Sequence, residues 1–123
     1  MKSSIERADQ RAQTMLDLIS NVVYKVSGVT PSELKSKSYA HRITKARFIF
    51  AELCNGTVNP LYVIAEYLNK NVSMVSYYKK SHDECYKLYE DFKLKSDMAN
   101  KMFIELLTNT NGNFDNVFQE EGE

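Results

Sequence analysis

Residues 60–80, PLYVIAEYLNKNVSMVSYYKK, decide how the chain is read. Leu61, Ile64, Ala65 and Leu68 recur at three- and four-residue intervals, which predicts a short amphipathic helix over 60–69. Asn69-Lys70 reads as a tight turn. Asn71 or Ser73 can then cap a second helix over 71–80, running through Tyr78 and onward toward Phe92. Two short helices joined this way have the spacing of a helix-turn-helix. Where such a unit binds DNA, the first helix supports the second, whose N-terminal residues enter the major groove. Lys70, Asn71, Ser73, Met74 and Tyr77 are therefore candidate contacts near bases, with Lys79 and Lys80 at phosphates. Asn can pair bidentately with adenine, Ser can serve either base type, and Lys supplies phosphate or guanine contacts. The same hairpin of helices occurs in bundles that bind no DNA, so the pattern leaves both readings open.

Working upstream, Lys35-Ser36-Lys37-Ser38-Tyr39-Ala40-His41-Arg42-Ile43-Thr44-Lys45-Ala46-Arg47 has five Lys/Arg and no acid. A basic loop over 35–47 leading into a helix start can hold sugar-phosphate backbone and aim a side chain at the minor groove. Lys37, Tyr39, Arg42, Lys45 and Arg47 join the candidate binding set on that ground. The plain alternative is a solvated, solubilising face. From His41 to Asn55, the apolar series Ile43, Ala46, Ile49, Phe50, Leu53 and Cys54 predicts a core helix stopped by Gly56. Thr30-Pro31-Ser32-Glu33 is a capping-box signature opening a short helix that ends near Lys37.

Toward the N-terminus, Met15, Leu16, Ile19, Val22, Val23 and Val26 form one stripe of a long first helix over 4–27, ended by Gly28. Toward the C-terminus, a last helix is expected at about 97–108, offering Met98, Met102, Phe103 and Leu106 to the core. Residues 109–123, rich in Asn, Gly and acids, read as a loose tail. The organisation expected is thus an N-terminal helix (1–27) packed on a helix-turn-helix domain (28–108), with an acidic tail (109–123). The fold class expected is all-α: one compact helical domain of about six helices. A length of 123 residues suits one domain, and only four Gly and two Pro favour helices over many short strands.

The formal net charge of zero hides a division along the chain. Nine Lys/Arg against Glu33, Glu52 and Glu66 give residues 25–80 a balance of +6, while ten Asp/Glu against four Lys give residues 81–123 a balance of −6. A local basic patch is what matters for a nucleic-acid partner. Equally, the two halves can meet in the fold or in a dimer.

The order GVTPSEL, KSKS, RITKARFIFAEL, LYVIAEYL, NKNVSMVSYYKK resembles the C-terminal DNA-binding domain of the bacterial replication initiator DnaA, a Trp-repressor-like helical fold. The resemblance covers about residues 19–107, with well under half of the positions identical. It implies that Lys37 matches the basic-loop Lys and that Arg47 matches the third-helix Arg that contacts the DNA backbone. It also implies that Leu61 and Ile64 belong to the scaffold helix, and that Lys70, Asn71, Ser73 and Val75 fall on the recognition signature. Tyr39 stands where the family has its minor-groove Arg, with Arg42 nearby. Val72 replaces the signature His, Met74 the following Thr, and Asn71 an Asp. The pattern of the fold is kept and most of the specificity set is changed, so a target other than the initiator's own sequence is implied. No Gly-x-x-x-x-Gly-Lys-Ser/Thr phosphate loop occurs, so no ATPase machinery is expected.

Catalysis has little to stand on. Ser81-His82-Asp83 is contiguous, and neighbours on a helix point roughly 100° apart, too far to form a triad. His82 and Cys85 could share a metal, but no further ligands occur at sensible spacing, and Cys54 and Cys85 read as buried thiols in a reducing compartment. The expectations are therefore no enzyme, no metal, no cofactor and no small-molecule ligand. With no apolar run near the roughly 20 residues that span a bilayer, and no signal peptide visible, a cytoplasmic protein without a membrane partner is expected. The favoured partner is double-stranded DNA, with a homodimer through the first helix as a way to engage two half-sites. The alternative is a protein-interaction or structural helical module that keeps the fold without binding DNA.

Overall fold

A computed structural model describes residues 4–58 and 60–109, with the side chains of 4–9 left aside. Among the described residues the fold is all-α, with six helices: α1 (Ser4–Ser27), α2 (Pro31–Lys35), α3 (His41–Cys54), α4 (Leu61–Leu68), α5 (Val72–Leu88) and α6 (Glu90–Asn109). The expected tail over 109–123 lies outside the described residues except for Asn109.

The centre of the fold is α3. Nine of its residues are buried, on every side of the helix, because α1, α2, α5 and α6 all pack around it. The apolar stripe of α1 closes one side of the core. Met15, Leu16, Ile19, Val22 and Val23 are buried there, and Val26 is partly so. That stripe is consumed within its own domain. Helix α1 stops where Gly28 takes a left-handed φ of 76° and returns its N–H to Tyr24 O at 2.8 Å. Phe50 of α3 stacks on Tyr67 of α4 with the rings 4° from parallel. Tyr67 OH reaches Ser20 Oγ (3.0 Å) and Asp17 Oδ1 (3.1 Å), tying α4 to α1. Burial, with Asp17 reinforcing it against the hydrogen bond from Ser20, pushes the Tyr67 phenol up to about 12.

The last helix differs from expectation. It begins at Glu90, not near residue 97, after a single extended residue at Tyr89 (φ −124°, ψ 112°). Nothing in the sequence marks the break with Gly or Pro, and the buried stripe of α6 runs Phe92, Ser96, Ala99 and Phe103. Its middle two members are small, so apolar periodicity alone does not reveal it. Met98, expected in the core, falls off that stripe and is 58% exposed. Met102 and Leu106 pack partly against the core. The described residues contain no helix long and apolar enough to cross a membrane.

Candidate nucleic-acid interface

The junction of α4 and α5 is built by local chemistry. Asn69 adopts the left-handed conformation (φ 60°, ψ 41°), and its N–H donates to Glu66 O at 3.1 Å. Lys70 N–H then returns to Ala65 O at 2.9 Å, so two of the last carbonyls of α4 are satisfied and α5 begins within four residues of its end. Asn71 is the N-cap of α5: its Oδ1 accepts from Met74 N–H at 2.8 Å. The second helix is thus Val72–Leu88, 17 residues that run past residue 80 toward Phe92, and Asn71 lies just outside it. The cap bond uses one of the two lone pairs of the Asn71 oxygen. Asn71 therefore positions the helix start.

From that start, Val72, Ser73, Ser76, Tyr77 and Lys80 are exposed, while Val75 and Tyr78 are buried against α3 and Met74 is intermediate. At 100° per residue, Ser73, Ser76, Tyr77 and Lys80 share one face. Lys79 lies off it, partly buried and near enough to Cys54 to act on the thiol electrostatically. Val72 and Ser76 complete the exposed face without having been singled out from sequence for contact. The signal for Ser76 is its place three residues after Ser73.

Part of the basic stretch comes to this same face through Tyr39 and Lys45, while Arg42 lines a separate cleft toward α6 with Asp91 and Phe92. Lys35 belongs to α2, residues 36–40 form the loop, and His41 begins α3. Tyr39, Thr44, Lys45, Phe48, Met74 and Tyr77 line one shallow cleft between the loop, α3 and α5. Beside it, Tyr39, Glu66, Lys70, Asn71 and Met74 line a second. Lys37, Tyr39, Arg42 and Lys45 are exposed, Tyr39 by 63%. Arg42 pairs with Glu33, whose carboxylate also accepts from Thr30 N–H in the capping box. The Thr30 backbone hydrogen bond first, and the Arg42 guanidinium second, hold the Glu33 carboxyl below its usual range.

Two of the candidate cations have other work. Arg47, read from sequence as a phosphate contact, is 0% exposed. Its guanidinium donates to four carbonyls: Leu34 O (2.9 Å), Ser38 O (2.6 Å), Glu33 O (3.2 Å) and Ser36 O (2.7 Å). It closes the C-terminus of α2, sharing Glu33 O with the Ser36 cap N–H, and fixes the loop that follows. A buried side chain cannot touch a phosphate, so Arg47 is corrected to a positioning residue. Lys70 donates to the same Ser36 O at 2.6 Å. Partial burial, then the nearby Arg47 charge, pull the Lys70 ammonium below its ordinary range. The exposed cations left are therefore Lys37 and Lys80, with Lys45 lying over the Tyr89 ring (5.5 Å to its centroid) and Arg42 half committed to Glu33.

The site is thus an exposed helix start beside a basic loop held by Arg47 and Lys70, within an all-α domain. The chain is similar to the chromosomal replication initiator protein DnaA of Sulfurimonas denitrificans, with 32% identity over 97 residues, or 76% of this chain. The similarity spans only 22% of the initiator's length. No protein-family profile matches the chain. No solved structure matches it either.

Proposed function

We propose that this chain binds double-stranded DNA as a DnaA-like helix-turn-helix domain, with α4 as support and α5 as the recognition helix. The observation that carries this reading is the convergence of the loop 36–40 and the start of α5 on one exposed face. In this arrangement Ser73, Ser76 and Tyr77 face base edges, while Lys37, Arg42, Lys45 and Lys80 reach phosphates and Tyr39 lies toward the adjacent groove. Arg47 and Lys70 act indirectly, by holding the loop. The similarity to the initiator supports a DNA partner, and the absence of its His at Val72 supports a different target sequence.

A second reading has its own observation. Tyr39, Val72 and Tyr77 are all large, apolar and exposed on this face, a composition that also suits a protein partner. Fluorescence anisotropy with a random-sequence duplex at about 50 and 200 mM salt separates the two. DNA binding predicts measurable affinity with a log–log salt slope of roughly −3 to −4, from four phosphate-facing cations at about 0.9 each. Binding absent at the lower salt, or insensitive to Lys37→Glu and Lys80→Glu, favours the protein partner.

A further inference from the structure

About half a turn around α5 from Ser73, a second cluster of polar side chains forms where α3, α5 and α6 meet. His82 is 5% exposed. Its Nε2 lies 2.7 Å from Ser96 Oγ of α6, a buried contact. Its other ring nitrogen, Nδ1, faces two carboxylates: Asp83 Oδ1 at 3.4 Å and Glu52 Oε1, from α3, at 3.7 Å. All three donor atoms lie within 4.8 Å of one another. They border an open cleft of about 350 Å³ that Tyr86, Asp97 and Asn100 also line.

When Nε2–H donates to Ser96, Nδ1 presents a lone pair to two carboxylates. In that tautomer the lone pair and the two carboxylates repel, and either a proton on Nδ1 or a cation between them relieves the repulsion. We infer that the point between them is a binding site for a divalent transition-metal ion of the zinc class, held by His82 Nδ1, Glu52 and Asp83. Tetrahedral coordination at zinc-type bond lengths places ligand atoms about 3.4 Å apart, close to the two separations of His82 Nδ1 from Asp83 (3.4 Å) and Glu52 (3.7 Å). Imidazole with two carboxylates suits zinc, cobalt or manganese and leaves room for water from the cleft as a further ligand. Ser96 supplies the outer hydrogen bond that ligating histidines characteristically have, and it fixes the ring orientation. The ion would clamp the middle of α5 to α3, and so hold the helix whose N-terminus forms the proposed DNA face. The site does not depend on that face binding DNA.

The test is titration of the full chain with cobalt(II), followed by its visible absorption, with zinc(II) in competition. Expected is one ion per chain, displaced by zinc, with a rise in melting temperature. Glu52→Gln and Asp83→Asn, at partly exposed positions, should each weaken binding at least tenfold with unchanged circular dichroism, and Ser96→Ala by 10–100-fold. X-ray absorption of the zinc-loaded wild type needs no variant. A shell of one imidazole nitrogen and oxygens supports the site, and sulfur in the shell overturns it by pointing to cysteine. Failure of cobalt and zinc to bind, or binding that all three substitutions leave unchanged, also overturns it. Either result would leave His82 as an imidazole paired with its carboxylates alone.

Discussion

Replacing Arg47 with Ala distinguishes a residue that holds the interface from one that touches DNA. The substitution removes four donated hydrogen bonds at once. Leu34 O is the most deeply buried of the acceptors and would be left without the guanidinium, at about 1–3 kcal/mol for an unsatisfied group. Ser36 O and Ser38 O sit in a loop that water can reach, so each loses only the net worth of a charged hydrogen bond, part of which water restores. The emptied volume of a fully buried side chain adds a cavity penalty. Together these give a destabilisation of about 3–5 kcal/mol, a large share of the 5–15 kcal/mol typical of a domain. Arg47→Lys keeps the charge but presents a point donor to acceptors spread along four residues, so at least about 2 kcal/mol is lost. Urea unfolding measures both, and a salt titration of DNA binding under conditions where the variant is folded completes the pair. Affinity should fall with the salt slope unchanged. A loss of under 1 kcal/mol in stability, together with a slope reduced by about one, would refute the positioning role and return Arg47 to the phosphate backbone.

Asn71→Ala should destabilise the domain by about 1 kcal/mol through loss of the α5 cap, while Asn71→Asp, which can still cap, should not; differential scanning calorimetry reads both. Tyr78 OH is buried with no hydrogen-bond partner among the described residues, so Tyr78→Phe should be neutral or stabilising by up to about 1 kcal/mol in a urea melt. A clear destabilisation would instead reveal a hydrogen bond to bound water. The Glu33 carboxyl is held below its unfolded value of 4.5, so the folded state binds its proton less readily than the unfolded state does. The capping box and the Arg42 pair therefore stabilise fully above pH 4.5, and that contribution is lost as pH falls through the lowered folded value. A pH series of thermal melts should show this acid loss blunted in Glu33→Gln.

Local signals carried most of the architecture. The capping box at Thr30, the glycine stop at Gly28 and the apolar series of α3 and α4 act within one or two helical turns, where sequence spacing and spatial spacing coincide. The start of α6 was hidden because its buried stripe passes through Ser96 and Ala99, which carry little hydrophobic signal. The site was legible as a region and not residue by residue. Arg47 and Arg42 look alike in a basic run, and only the packing of α2 over Arg47 separates their roles. The cluster at His82 was out of reach for a related reason. Its third member, Glu52, lies thirty residues upstream and meets His82 only because α3 packs on α5.

Mapping backbone amide chemical shifts on titration with duplex DNA is the most direct test of the proposed interface. The account predicts that perturbations concentrate at Lys37–Lys45 and Val72–Lys80, with α6 unmoved. Perturbations centred on α6, or none at DNA concentrations that saturate anisotropy binding, would contradict it.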